Sequence, residues 1–316
     1  MFLYTVKRLI QSLVSVLIIV TIVFLLLRLL PTDYYFTEDQ LIKFTERQKN
    51  EQLQAAGLLD PIPVQLLRFY GELARLDFGT SRRIQHGVPV MQIISTRFPV
   101  SMRLGLTAVA ISLVIGVAMG IMQARYKNKI PDHLGMAYTI FVNAVPPLVS
   151  YSLILIFGSR VLGFPSLYST RNPDISSILP ITCLALGSIA WWAIWIRRYM
   201  IDEVNKDYIK LAKIKGMASK NIMVKHVLRN AFVPLAQYLP ANLLMTISGS
   251  LLAERFFSVP GMGPLLIDSI NRYDTSVVQT VVIIYSLLSI MGVFLGDVLM
   301  MLVDPRITLT KKEGTR

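Results

Sequence analysis

Six long stretches without charged residues constrain this 316-residue chain more than any other feature. A helix needs about 20 mostly apolar residues to cross the hydrocarbon core of a bilayer, and each stretch is close to that length. The six are Leu9–Leu27, Leu104–Ala124, Met136–Phe157, Ile175–Ile196, Ala231–Ala253 and Thr275–Gly296. Hydrophobic residues make up 53% of the chain and charged residues only 16%, which excludes an ordinary soluble enzyme. We therefore expect an all-α membrane protein with six transmembrane helices.

The positive charges are concentrated on one side of these spans. If the N-terminus is cytoplasmic, the cytoplasmic pieces are 1–8, 125–135, 197–230 and 304–316, with 18 basic and six acidic residues. The outer pieces, 31–97, 158–174 and 254–274, hold twelve of each. Cytoplasmic loops are enriched in Lys and Arg, so we expect both termini to be cytoplasmic and attribute the net charge of +13 to the membrane and not to nucleic acid. Trp191, Trp192 and Trp195, just before Arg197, are expected to form an aromatic belt at the inner interface.

The sequence lacks the residues that several kinds of site and activity require. The one cysteine, Cys183, and the three separated histidines form no disulfide framework or metal-ligand spacing. The six stretches carry no ionisable residue at mid-depth, which argues against an ion-coupled transporter and an intramembrane enzyme. The chain also lacks the phosphate-binding P-loop, so energy for active transport must come from another subunit. A passive channel would need no such subunit and stays open.

The cytoplasmic stretch 197–230 is too long for a simple connection. Val204, Tyr208, Leu211 and Ala212 recur at helical spacing, which predicts one amphipathic helix over Asp202–Gly216 that ends at the glycine. A second short helix is expected after it, capped by Ser219. Periodicity and charge leave two possibilities open, a helix lying on the anionic leaflet and a helix docked in a groove of a cytosolic partner.

Two motifs carry a resemblance to a known family. Asp207-Tyr208-Ile209-Lys210-Leu211-Ala212-Lys213-Ile214-Lys215-Gly216 and the following His226–Pro234 closely resemble the EAA-type coupling loop of ABC-importer permeases of the dipeptide, oligopeptide and nickel type. Glu254–Gly263 is similar to a second family segment, Glu-x-x-Phe-x-x-Pro-Gly-x-Gly, and Asp304-Pro305-Arg306 to its closing motif. Gly57-Leu58, Asp60-Pro61 and Phe78-Gly79-Thr80-Ser81 resemble the first, B-type permease of such systems. Pro31-Thr32-Asp33 and Leu76 depart from the family pattern, in the outer segment only.

The resemblance implies a type I ABC importer permease fold with an extracytoplasmic helical insertion. Its parts would be 1–30 with the first span, the outer segment 31–97, a five-helix core 98–303 that includes the coupling loop 197–230, and a tail 304–316 in the cytoplasm. The implied partners are a homologous second permease, two ATPase subunits and an external substrate-binding protein, in a bacterial cell membrane. ATP and Mg would be held by the ATPase subunits, with no cofactor or metal and no enzymatic activity in this chain.

The resemblance also assigns roles to individual residues. ATPase coupling would involve Asp207, Tyr208, Ala212, Lys213, Lys215, Gly216, Arg229, Asn230 and Pro234. The gate or translocation path would involve Asn143, Pro146, Glu254, Pro260, Gly261 and Gly263. From the residues alone, Pro146 is equally consistent with a simple bend, and Pro260-Gly261 with an ordinary turn. The implied substrate is an oligopeptide or dipeptide, with nickel chelates and glutathione-like compounds as alternatives.

The remaining patterns concern packing and the outer segment. Gly116-x-x-x-Gly120 and Gly292-x-x-x-Gly296 would allow close helix approach. The outer segment has amphipathic stretches around Gln40–Leu53 and Val64–Leu76, which predict a small helical subdomain. It would contact the binding protein or only cover the bundle, and the sequence does not separate these possibilities.

Overall fold

A computed structural model describes residues 2–36 and 38–303, in which the regular elements are helices and there is no β-strand. The α-helices are α1 Phe2–Arg28, α2 Glu38–Lys43, α3 Glu46–Ala55, α4 Ile62–Ala74, α5 Val90–Arg125, α6 Ile130–Ala144, α7 Pro147–Arg160, α8 Pro173–Ser176, α9 Ile178–Val204, α10 Asp207–Ile214, α11 Ser219–Asn221, α12 Arg229–Ala236, α13 Tyr238–Ile247, α14 Leu251–Phe256, α15 Met262–Asn271 and α16 Thr275–Val303. A 3₁₀ turn spans Thr32–Tyr35, and a π-helical segment, Ile222–Leu228, joins α11 to α12. The motif Asp304-Pro305-Arg306 and the tail 304–316 lie outside the described residues.

Four of these helices are long and apolar enough to cross a membrane by length and composition. They are α1, α5, α9 and α16, and α6 with α7 forms a fifth candidate that is bent by 113°. The predicted fifth stretch, Ala231–Ala253, does not form one long helix: it is divided among α12, α13 and the start of α14. Gly249, with φ +102°, stands in the break before α14 and adopts a conformation that other residues rarely take. The all-helical membrane fold is confirmed, and the count of six spans stays a prediction.

Helices α5 and α9 form the most extensive helix–helix contact among the described residues. A Cβ atom added at Gly116 would lie 2.7 Å from Trp192 Cβ, and one at Gly120 would lie 2.7 Å from Ile196 Cβ. Real Cβ atoms do not approach so closely, so the two glycines form a notch for α9. The predicted close approach is confirmed, and the structure identifies its partner as α9.

The predicted tryptophan belt is wrong for one of its members. Trp192 is fully buried in the core formed by α5, α9 and α12, where its ring stacks on Phe232 at 6.3 Å. Trp191 and Trp195 are only partly buried. Helical periodicity explains the difference, because adjacent residues point in different directions and Trp192 alone faces the notch of α5.

Helix α16 is held by a second glycine notch and by a buried acid. Gly292 would place a Cβ 2.7 Å from Ala241 Cα of α13. One turn further, Gln237 Nε2 donates to Asp297 Oδ1 at 2.8 Å. Arg8 Nε of α1 lies 2.9 Å from Asp297 Oδ2, outside the direction of a linear hydrogen bond but close enough for an ion pair. The buried charge of Asp297 thus joins α1 to α16.

The outer segment is helical, as predicted, and rests on the ends of α1 and α16. Phe69 of α4 stacks on Phe24 of α1 with centroids 5.0 Å apart. The buried Asp274, just before α16, accepts the Ser81 hydroxyl at 2.6 Å and the N–H groups of Arg82, Arg83 and Ile84 at 3.1, 2.9 and 2.9 Å. One carboxylate therefore fastens residues 81–84 to the start of α16. Helix α5 already begins at Val90, inside the predicted outer segment.

Candidate functional site

The predicted helix Asp202–Gly216 consists of two helices in the structure. Helix α9 runs to Val204, Asn205 and Lys206 form a turn, and α10 begins at Asp207. The Asn205 side chain donates to the Ile201 carbonyl at 3.1 Å, a local bond that competes with continuation of the helix. Within α10, Ile209 is 0% exposed and faces the rest of the chain, whereas Leu211 is 52% exposed. The predicted single helix is therefore wrong, and of its apolar positions Tyr208 and Leu211 are exposed while Ala212 is buried.

The predicted end of this helix at Gly216 is confirmed. Gly216 has φ +72°, its N–H donates to Lys213 O at 3.0 Å, and the N–H of Met217 donates to Ala212 O at 3.3 Å. These two bonds form a Schellman motif, which closes a helix with a residue in the left-handed region. Glycine adopts that region without steric cost, so the residue type at 216 determines where the chain leaves α10.

The outward side of α10 carries an apolar strip bordered by lysines. Tyr208, Leu211 and Ile214 are 40%, 52% and 82% exposed, and Lys213 and Lys215 are exposed beside them. We call these five residues the α10 surface. Ala212, also predicted for coupling, faces inward instead, with 8% exposure in the core cluster that contains Ile209. Asp207 is exposed at the first turn of α10 and lies 2.8 Å from Lys210.

Two of the predicted coupling residues contact each other. Asn230 Nδ2 donates to the Tyr208 hydroxyl at 2.7 Å, and the Tyr208 hydroxyl donates to Glu203 Oε1. The network joins the end of α9, α10 and the start of α12. Desolvation, together with the Glu203 carboxylate, raises the pKa of Tyr208 above its usual value of 10, so the phenol remains a donor at physiological pH. Glu203 was not identified from the sequence, because its contacts with Tyr208 and Asn230 form only when α9, α10 and α12 meet.

The other two predicted coupling residues lie in α12. Arg229 is exposed at the first position of this helix, directly after the π-helical segment. Pro234 lies inside α12, where a proline has no N–H for the helical ladder. Both therefore lie in the part of the chain that follows α10.

The predicted break in the third apolar stretch is present between α6 and α7. Asn143 Nδ2 donates to Thr139 O at 2.7 Å, and Pro146 caps α7 after the 113° bend. Both side chains are exposed, and their neighbours Val142 and Pro147 line a cavity of about 260 Å³ beside α9. The bend is therefore a break between two helices and not a gentle kink.

The predicted gate residues around Pro260 form a tightly packed turn. Glu254, 1% exposed, accepts Gly263 N–H at 2.9 Å and Ser250 N–H at 3.3 Å. Ser101 of α5 accepts Met262 N–H at 2.8 Å and donates to Glu254. A side chain at Gly261 would overlap both groups. Ser101 and Glu254 therefore satisfy the first two N–H groups of α15, those of Met262 and Gly263, as acceptors at a helix N-terminus do.

Ser101 was missed by sequence analysis, because nothing local marks a serine inside an apolar helix as a partner of a turn 161 residues away. Among the described residues, no group of three or more His, Cys, Asp or Glu side chains is placed to hold a metal ion.

Residues 90–309 match the family described as the binding-protein-dependent transport system inner membrane component. This match covers the α5–α9 notch, the α10 surface and the Pro260 turn. The chain belongs to this family. Together with its long apolar helices, membership makes this permease a multi-pass membrane protein.

The permease is also similar to curated proteins along nearly its whole length. It is 31% identical to the dipeptide transport system permease protein DppB of Bacillus subtilis, over 98% of this chain and 99% of the relative. It is 31% identical to the oligopeptide transport system permease protein AppB of the same organism, over 96% and 98%. The glutathione transport system permease protein GsiC of Salmonella paratyphi A is also 31% identical, over 96% and 98%.

Proposed function

We propose that this permease is one of two homologous membrane subunits of an ATP-driven importer that takes up dipeptides or oligopeptides. The family and the relatives that transport dipeptides and oligopeptides support this function. The relative that transports glutathione, itself a small peptide-like compound, makes glutathione-like substrates the main alternative. Selection among them would depend largely on an external binding protein that delivers the substrate.

The α10 surface carries this proposal. An exposed apolar strip on a short helix is expected to be covered by a partner, and its lysines suit a groove with acidic residues. The helix is held firmly enough to transmit force, because the Schellman motif fixes its end and the Tyr208 network fixes its start. We assign the partner as an ATPase subunit, which would also hold ATP and Mg.

The transport cycle follows from this attachment. ATP binding would close a pair of ATPase subunits and draw the two coupling loops together, and the membrane helices would then open outward. Hydrolysis would return the permease to the inward state. Asn143 and Pro146 at the bend between α6 and α7, and the Pro260 turn held by Glu254 and Ser101, are our candidates for the moving path and its outer gate.

The orientation that this cycle requires is the one with both termini in the cytoplasm. It places the 18 basic residues of the predicted cytoplasmic pieces on the cytoplasmic side of a bacterial cell membrane. The outer segment would then face the binding protein. Because Asp274 attaches this segment to the start of α16, binding of that protein would also act on the last helix.

Gentle purification of the tagged chain from its native membrane tests the proposal. We expect a second permease, two ATPase subunits and a binding protein in the purified complex, with peptides as bound small molecules identified by mass spectrometry. Recovery of the chain alone, under conditions that preserve a known importer, would contradict the proposal and favour a passive channel.

A further inference from the structure

A buried ion pair joins α6 to the end of α9 that leads into the coupling loop. Arg197 Nε lies 2.6 Å from Asp132 Oδ1, and Arg197 Nη2 lies 2.8 Å from Asp132 Oδ2. Asn128 N–H donates to the same Oδ2 at 2.9 Å. The Asp132 side chain is 0% exposed and that of Arg197 is 23% exposed. Two parallel N–H bonds fix both the distance and the direction between the partners, as a single contact does not.

Helix α9 connects this pair to the coupling loop. Glu203 follows Arg197 by six residues on the same helix, which corresponds to about 9 Å along its axis. Glu203 accepts from Tyr208, which holds the start of α10. The end of α9 therefore contacts α10 through Glu203 and α6 through Arg197, and one continuous helix connects the two contacts.

Helix α6 leads from this pair to the broken span. Asp132 lies in the first turn of α6, and the same helix ends at Ala144, just before the 113° bend into α7. The cavity of about 260 Å³ adjoins that bend. The ion pair would therefore transmit a displacement of α9 to α6, and the other end of α6 borders the candidate translocation path.

We propose that Asp132 and Arg197 are positioning residues that transmit the movement of the coupling loop to the bend between α6 and α7. The inference rests on the proposed importer function and adds a specific link to it. Packing between α9 and α6 would hold the helices near each other, but apolar contacts slide, whereas a bidentate pair resists sliding.

The test uses the complete importer in proteoliposomes, with Asp132→Asn, Arg197→Gln and the double variant. The measured quantity is the number of ATP molecules hydrolysed for each peptide taken up. We expect each variant to assemble with the ATPase subunits and to raise this ratio by about fivefold or more, the size of a typical coupling between sites. Because the two residues form one link, the double variant should be no worse than the single ones.

An exposed ion pair supplies the matched control. Arg103 of α5 contacts Asp174 of α8, and the two side chains are 52% and 82% exposed. Asp174→Asn should leave the ratio unchanged, since exposed pairs contribute little. If Asp132→Asn fails to insert in the membrane, the double variant carries the test, because it leaves no unpaired buried charge.

Two results would overturn the inference. An unchanged ratio in well-assembled variants would make the pair a static contact, and loss of ATPase association would make it part of the docking surface. Neither result would contradict the proposed importer function. That function fails if the unmodified chain recovers no ATPase subunit at all.

Discussion

Replacing Gly216 distinguishes two reasons for a glycine at the end of α10: its left-handed backbone conformation, and the lack of a side chain where a partner would bind. The residue has φ +72°, and a Cβ atom added there would meet nothing within 4 Å in this chain. The cost of Gly216→Ala is therefore backbone strain alone, about 1–2 kcal/mol for a residue in the left-handed region. A cost of that size changes an equilibrium by about 5–30-fold.

The assay is the affinity of the purified permease for its ATPase subunit in detergent. If strain in the Schellman motif matters, affinity should follow the order Gly216, Gly216→Asn, Gly216→Ala and then Gly216→Val, because asparagine tolerates this region and β-branched residues do not. Thermal unfolding of each variant controls for loss of the global fold. Weaker binding by the asparagine variant than by the alanine variant would refute the strain argument, since side-chain size against the partner would then decide the affinity.

Three further predictions follow from burial and contacts elsewhere in the chain. Ile209→Ala should lower the stability of the coupling loop by about 2–5 kcal/mol, because the side chain is 0% exposed, whereas Leu211→Ala should weaken ATPase binding without a change in thermal unfolding. Gly120→Ala should lower the unfolding temperature in detergent, and Gly187→Ala should not, because a Cβ at position 187 meets nothing within 4 Å. Asp274→Ala should speed hydrogen exchange at the three backbone amides, of Arg82, Arg83 and Ile84, that donate hydrogen bonds to its carboxylate. Unchanged exchange would show that the outer segment does not depend on this acid.

The coupling loop shows how far local rules reach. The glycine at 216 predicted the end of the helix, because a helix terminus depends on residues within one turn. The single helix over Asp202–Gly216 was wrong, because the chain breaks at Asn205 and Lys206, where the Asn205 side chain makes a bond that competes with the helix.

The Pro260 turn shows the opposite case. Its motif marked Glu254, Pro260 and Gly261, yet the role of the glutamate depends on Ser101 of α5 and on the first N–H groups of α15. A buried carboxylate takes the donors that surround it, and these come together only when distant helices pack. The pattern of single residues could not distinguish a residue that lines a path from one that holds a turn.

The sequence by itself determined the class of this protein. Long uncharged stretches, one-sided basic charge and two motifs were sufficient for a helical membrane permease, because insertion in a bilayer depends on length, hydrophobicity and charge along the chain. Only the tertiary structure decided which polar residues act together, such as Asp132 with Arg197 and Asp274 with residues 81–84. A buried charge must find its partners in space, and the order of residues along the chain does not specify that distance.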